Sequence, residues 1–203
     1  MSKPLALPVV PIVLHPTRSS VVWAVGSRIF AYDLQLKAFE AKAADLETLG
    51  PVRALDVWQG EGKLLWLAAG DDKTVTTWLD DGNHGSSWQI HETLSHQKKL
   101  TRAIFDRKGR IILADRFGDV CRWTPSSDQE PEMLSSHFAI VTALVLTPSQ
   151  RFLVVGDNHE RLRISHYPEA TGIPWDLVQM AASSMGALGP SETVLWCFGL
   201  DLI

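Results

Sequence analysis

Cysteine is scarce. Cys121 and Cys197 are the only two in 203 residues, and their spacing fits no metal site. A disulfide framework is therefore not expected, and such sparse usage suits a reducing compartment. Charge of one sign is also lacking: the formal net charge of −4 gives no global basic field of the kind that advertises nucleic-acid binding. Long apolar runs are missing as well. Residues 139–146, among the longest uncharged apolar stretches, fall far short of the roughly 20 residues of a membrane span. The N-terminus is apolar, but Pro4, Pro8 and Pro11 break any signal-peptide helix. These absences predict a soluble intracellular chain without membrane contact. Its 45% hydrophobic content suffices for a substantial core within one domain.

Catalytic constellations are equally thin. Residues 55–62 have the outline of a methyltransferase glycine loop, an acidic residue followed by spaced glycines. That loop needs glycine where Trp58 stands, because backbone must approach the ligand closely, and a helix where residues 63–69 are apolar and strand-like. Ser136, His137 and Asp157 supply triad residue types without an oxyanion-hole loop. His84, His91 and His96 share no ligand spacing. The acids Asp71-Asp72 and Asp80-Asp81 sit at turns, where Asp bonds its own backbone. No active site, cofactor site or metal site is expected.

What the chain does have is a repeated phrase. Eight tryptophans are dispersed through it. The phrase is clearest at 152–167: an apolar run, an abrupt polar turn from Asp157, and an alternating strand with Leu162 and Ile164 on one face and Arg161 and Arg163 on the other. Earlier rounds run 21–32, 52–78 and 100–123, each with short apolar strands separated by Gly- or Asp-containing turns. The small residue before the polar turn is Gly26, Gly70, Ala114 and Gly156, at spacings of 44, 44 and 42 residues.

A period in the low forties carrying three or four short strands predicts propeller blades. One four-stranded sheet cannot hide both faces, and radial stacking lets each sheet cover its neighbour. Tyr32, Trp78, Trp123 and Ser165 close the four units at positions expected to pack between blades. The fold class expected is all-β, an incomplete WD-repeat β-propeller. Residues 1–19 read as an N-terminal extension or strand, and 20–171 as blades at about 20–50, 51–92, 93–133 and 134–171. Residues 172–203 form an atypical tail, small-residue-rich, with a short helix expected over 176–185. Ser95-His96 and Ser136-His137 stand where WD repeats usually carry Gly-His. His137, Thr142 and Asp157 are then expected to form a buried hydrogen-bond set tying outer strand to turn.

With these phrases in hand, above all 114–120 and 156–168, the chain resembles the non-catalytic WD-repeat subunit of tRNA (guanine-N7-)-methyltransferase. The resemblance covers roughly residues 20–170. It implies a scaffold that is not itself an enzyme, forming a heterodimer with a separate catalytic subunit. That partner binds S-adenosylmethionine and makes 7-methylguanosine in the tRNA variable loop. It also implies tRNA contact through the complex and a nuclear location, extending to the cytoplasm. The family has about seven blades and this chain shows about four. The expectation is a truncated or alternatively spliced form, whose half-propeller leaves a blade face and ring edges open. A generic WD-repeat interaction module without a tRNA role is the alternative reading.

Carried onto this sequence, the resemblance places the partner contact on Arg163, which would form an ion pair with an acidic residue of the catalytic subunit. A planar guanidinium suits that role because it engages a carboxylate with two parallel hydrogen bonds. Glu160 and Arg161 would share its rim, and Arg116 occupies the equivalent turn one blade earlier. A second set comes from local charge, since residues 98–122 carry a net +5. Lys98, Lys99, Arg107 and Lys108 are the candidate tRNA-backbone contacts, where each neutralised phosphate releases counterions. The bland alternative is a solvated turn.

Overall fold

A computed structural model describes residues 10–39, 48–60, 62–80, 88–127 and 129–167. Side chains alternate faces along a strand, so Val22 and Ala24 of one strand share a side with Ile29 and Ala31 of the next. Strands β2 (Ser20–Val25) and β3 (Arg28–Asp33) meet at a tight turn where Gly26 takes a φ of 61°, the left-handed value such hairpins require. β1 (Ile12–Leu14) pairs with β2 and β4 (Ala38–Phe39) with β3, giving an antiparallel sheet of order β1-β2-β3-β4. Strand β1 falls inside the segment 1–19.

Three further antiparallel sheets follow the same plan. The second is β5 (Val52–Gly60), β6 (Lys63–Gly70), β7 (Thr74–Asp80) and β8 (Gln89–Ser95), in that order. The third is β9 (Leu100–Phe105), β10 (Ile111–Asp115), β11 (Asp119–Trp123) and β12 (Glu132–Ser136). The fourth has three described strands, β13 (Val141–Leu146), β14 (Phe152–Asp157) and β15 (Leu162–His166). No helix occurs among the described residues, and so none is long and apolar enough to cross a membrane. The described residues are all-β, as the repeat predicts, and each of the four sheets has the up-and-down antiparallel order of a propeller blade. The helix expected over 176–185, the rest of the tail, His84 and Asp81 lie outside the described residues.

The chain divides into two compact units, Met1–Leu100 and Thr101–Ile203. In the first, Val22, Ala24, Ile29 and Ala31 of one sheet pack on Val52, Leu55, Trp66, Ala68 and Trp78 of the other. Each fully buried aliphatic side chain in such a seam contributes about 1.5–3 kcal/mol. Trp78 lies within this seam. A buried ion cluster sits beside this seam: Asp80 Oδ2 accepts from Arg18 at 2.5 Å and lies 3.1 Å from His15 Nε2. The opposite face of the first sheet stays partly open, with Ile12, Leu14 and Phe39 exposed.

In the second unit the seam joins Ile112, Ala114 and Val120 to Val141, Leu144, Leu153, Val155 and Tyr167. Trp123 is buried on the other face of its sheet, opposite Ile111. Tyr167 also latches the two sheets. Its hydroxyl donates to Asp106 Oδ2 at 2.7 Å, which also accepts from Arg110 Nε at 2.7 Å.

Candidate partner-binding surface

Aspartate builds the turns at one end of the second unit's sheets. Asp157 closes β14 with its carboxylate turned back on its own backbone. Its Oδ1 accepts from the amides of His159 at 2.8 Å and Arg161 at 3.2 Å, and its Oδ2 from Arg161 Nε at 2.8 Å. Burial alone would raise this acid, but those donors outweigh it and hold Asp157 below the ordinary carboxylate value. The chain turns at Glu160, exposed and in the left-handed region at φ 60°. One blade earlier Asp115 repeats the device, accepting from the amides of Phe117 at 2.8 Å and Asp119 at 3.1 Å. There the left-handed residue is Gly118, at φ 98°.

The two turns are joined through the β12–β13 connector. The His137 amide donates to the Gly118 carbonyl at 2.7 Å, and the Asn158 amide to the Ile140 carbonyl at 2.9 Å. Arg163, on β15, donates from its guanidinium to the Ser136 carbonyl at 3.0 Å. The structure therefore brings Arg116, Glu160, Arg161 and Arg163 to a single rim of this unit. Arg161 differs from expectation in one respect: its Nε is already committed to Asp157.

His137 sits beneath this rim, buried, with Nδ1 3.8 Å from Asp157 Oδ2. Burial first, then the Arg163 guanidinium, hold its imidazole below the ordinary histidine value. Its Nε2 finds no hydrogen-bond partner among the described residues. The expected set of His137, Thr142 and Asp157 is corrected here. The His137–Asp157 separation exceeds a hydrogen bond, and Thr142 is exposed, donating to the Gly156 carbonyl at 3.4 Å. A register shift between Val141 and Ala143 bulges β13 at this point and turns Thr142 outward.

Of the candidate tRNA contacts, Lys98 and Lys99 precede β9 in the first unit, and Arg107 and Lys108 follow it in the second. Lys99 Nζ lies 3.9 Å from Asp71, and Arg107 bonds the Pro148 carbonyl through its guanidinium. Two exposed aromatics that sequence reasoning missed lie on the rim. Phe117 is 66% exposed and Phe138 is 91% exposed. Phe138 directly precedes an apolar run, so the sequence alone makes it look like core.

The other candidates resolve as structure. Asp56, Trp58 and Gly60 lie on β5, paired along its length with β6, in place of the strand–loop–helix of a cofactor site. Ser136 Oγ donates to Asp119 at 2.7 Å, a bond that takes it out of any triad. Among the described residues no group of three or more His, Cys, Asp or Glu side chains is placed to hold a metal.

No family model matches the chain. Over 146 residues it is 27% identical to the tRNA (guanine-N(7)-)-methyltransferase non-catalytic subunit TRM82 of Meyerozyma guilliermondii, covering 64% of this chain and 34% of that protein. The resemblance is to the non-catalytic subunits of tRNA (guanine-N(7)-)-methyltransferase. A second, from Eremothecium gossypii, is 33% identical over 125 residues, 59% of this chain and 28% of that protein. The corresponding subunit of Dictyostelium discoideum is 18% identical over 183 residues, 80% of this chain and 38% of that protein. The matched segment thus spans about a third of the length of these curated non-catalytic subunits.

Proposed function

We propose that this chain is a non-catalytic scaffold that binds and steadies a catalytic tRNA (guanine-N7)-methyltransferase subunit as a heterodimer, for 7-methylguanosine formation in the tRNA variable loop. The likeness to subunits named non-catalytic supports the absence of a reaction centre of its own. S-adenosylmethionine then belongs to the partner. The observation that carries the reading is the convergence of Arg116, Glu160, Arg161 and Arg163 on one rim whose turns are fixed by buried aspartates. A rim held this way meets its partner with little ordering cost.

In this reading Arg163 supplies the ion pair to the partner, and Lys98, Lys99, Arg107 and Lys108 add contacts to the tRNA backbone within the complex. The complex works in the nucleus and extends to the cytoplasm. Co-expression with a tagged catalytic subunit of the same organism tests the binding. The wild-type chain should co-purify and Arg163→Glu should not. Retention of Arg163→Glu at wild-type yield contradicts the assignment.

A further inference from the structure

We infer that Phe138 and Phe117 are the apolar anchors of this rim, and that the partner surface they fit is an acidic segment carrying apolar side chains. The inference rests on the scaffold reading above and deepens it. Phe138 stands 91% exposed between two buried residues, His137 and Ala139, so its backbone is fixed on both sides while its ring projects. Phe117 is presented by the Asp115 turn, its amide bonded to the carboxylate at 2.8 Å. The His137–Gly118 backbone bond joins the two segments one residue away from each ring. Arg163 bonds the carbonyl of Ser136, two residues before Phe138.

Two aromatics and a guanidinium are thus gathered around one buried histidine. Large aromatic side chains and arginine are the residue types that dominate binding energy at protein interfaces. A backbone already fixed on both sides leaves only the ring's own rotation to be lost when it is covered. The charge at the rim selects the partner. Arg116 and Arg163 favour separate carboxylates, and Glu160 and Asp119 interspersed among them oppose the unbroken row of negative charge on a phosphate backbone more than the spaced acids and apolar side chains of a protein segment. The occupant is therefore a protein.

The test titrates the full 203-residue chain with the catalytic subunit of the same organism, comparing wild type, Phe138→Ala, Phe138→Leu, Phe117→Ala and Arg163→Glu. Thermal melts of each variant alone establish that the fold is intact. Phe138→Ala is expected to weaken binding about tenfold or more and Phe117→Ala by less, with Phe138→Leu recovering most of the loss. If Arg163→Glu abolishes binding while both alanine variants bind like wild type, the anchors are refuted and the scaffold reading stands. If the wild-type chain does not bind, both fall. If the alanine variants lose affinity for tRNA and keep it for the subunit, the surface is an RNA site and the inference is overturned.

Discussion

His137 Nδ1 lies 3.8 Å from Asp157 Oδ2, with both side chains buried at the base of the rim. The facing charges are Asp157, Arg161 and Arg163, and burial with Arg163 leads the balance that holds His137 below its ordinary value of 6.5. The unfolded chain then binds a proton at a higher pH than the folded one. Stability is full above that ordinary value and falls as pH drops through it toward the lowered folded value. Melting temperatures measured between pH 7.5 and 5.5 should decline for wild type and decline less for His137→Gln. Asp157, also lowered, adds a separate loss as pH falls below 3.8.

Tyr167 predicts the opposite edge. Burial and its bond to Asp106 push its hydroxyl up to about 12. The unfolded chain ionises first, so stability present below pH 10 is lost as pH rises toward 12. Tyr167→Phe should remove that alkaline loss and cost about 2 kcal/mol at neutral pH, read from urea denaturation.

Gly118→Ala tests the turn that carries Phe117. The backbone there is left-handed, and an added Cβ would collide with the carbonyl oxygens of His137 and Ala139. Neither oxygen can retreat without breaking the β12–β13 connector. The expected cost is about 3 kcal/mol or more, with partner binding lost in proportion as the rim distorts.

In the first unit, Asp80→Ala removes the carboxylate shared by Arg18 and His15 beside the Trp66 indole, whose Nε1 is 3.4 Å from the same oxygen. A buried guanidinium that loses its carboxylate costs about 3–5 kcal/mol. A melt unchanged within error would contradict the structural role of this cluster.

The inner strands were legible because burial on both faces writes itself as unbroken apolar residues, as in Leu64 to Ala69 of β6. The turns were legible because Asp and Gly are demanded where the chain must reverse. Outer strands were not: β8 (Gln-Ile-His-Glu-Thr-Leu-Ser) and β12 are largely exposed and carry no clear alternation of burial. The Arg18–Asp80 pair spans 62 residues and leaves no local pattern. Of the candidate rim, the repeat shows the turn at Asp157, while the role expected of Arg163 comes from the family resemblance alone, and nothing in sequence distinguishes an exposed phenylalanine such as Phe138 from a core one.

Calorimetric titration of a catalytic tRNA (guanine-N7)-methyltransferase subunit into the purified chain tests most directly whether the rim around Arg163 grips it. Saturable one-to-one binding by wild type, lost on Arg163→Glu with the fold intact, is the predicted result. Equal affinity for the two chains would contradict it.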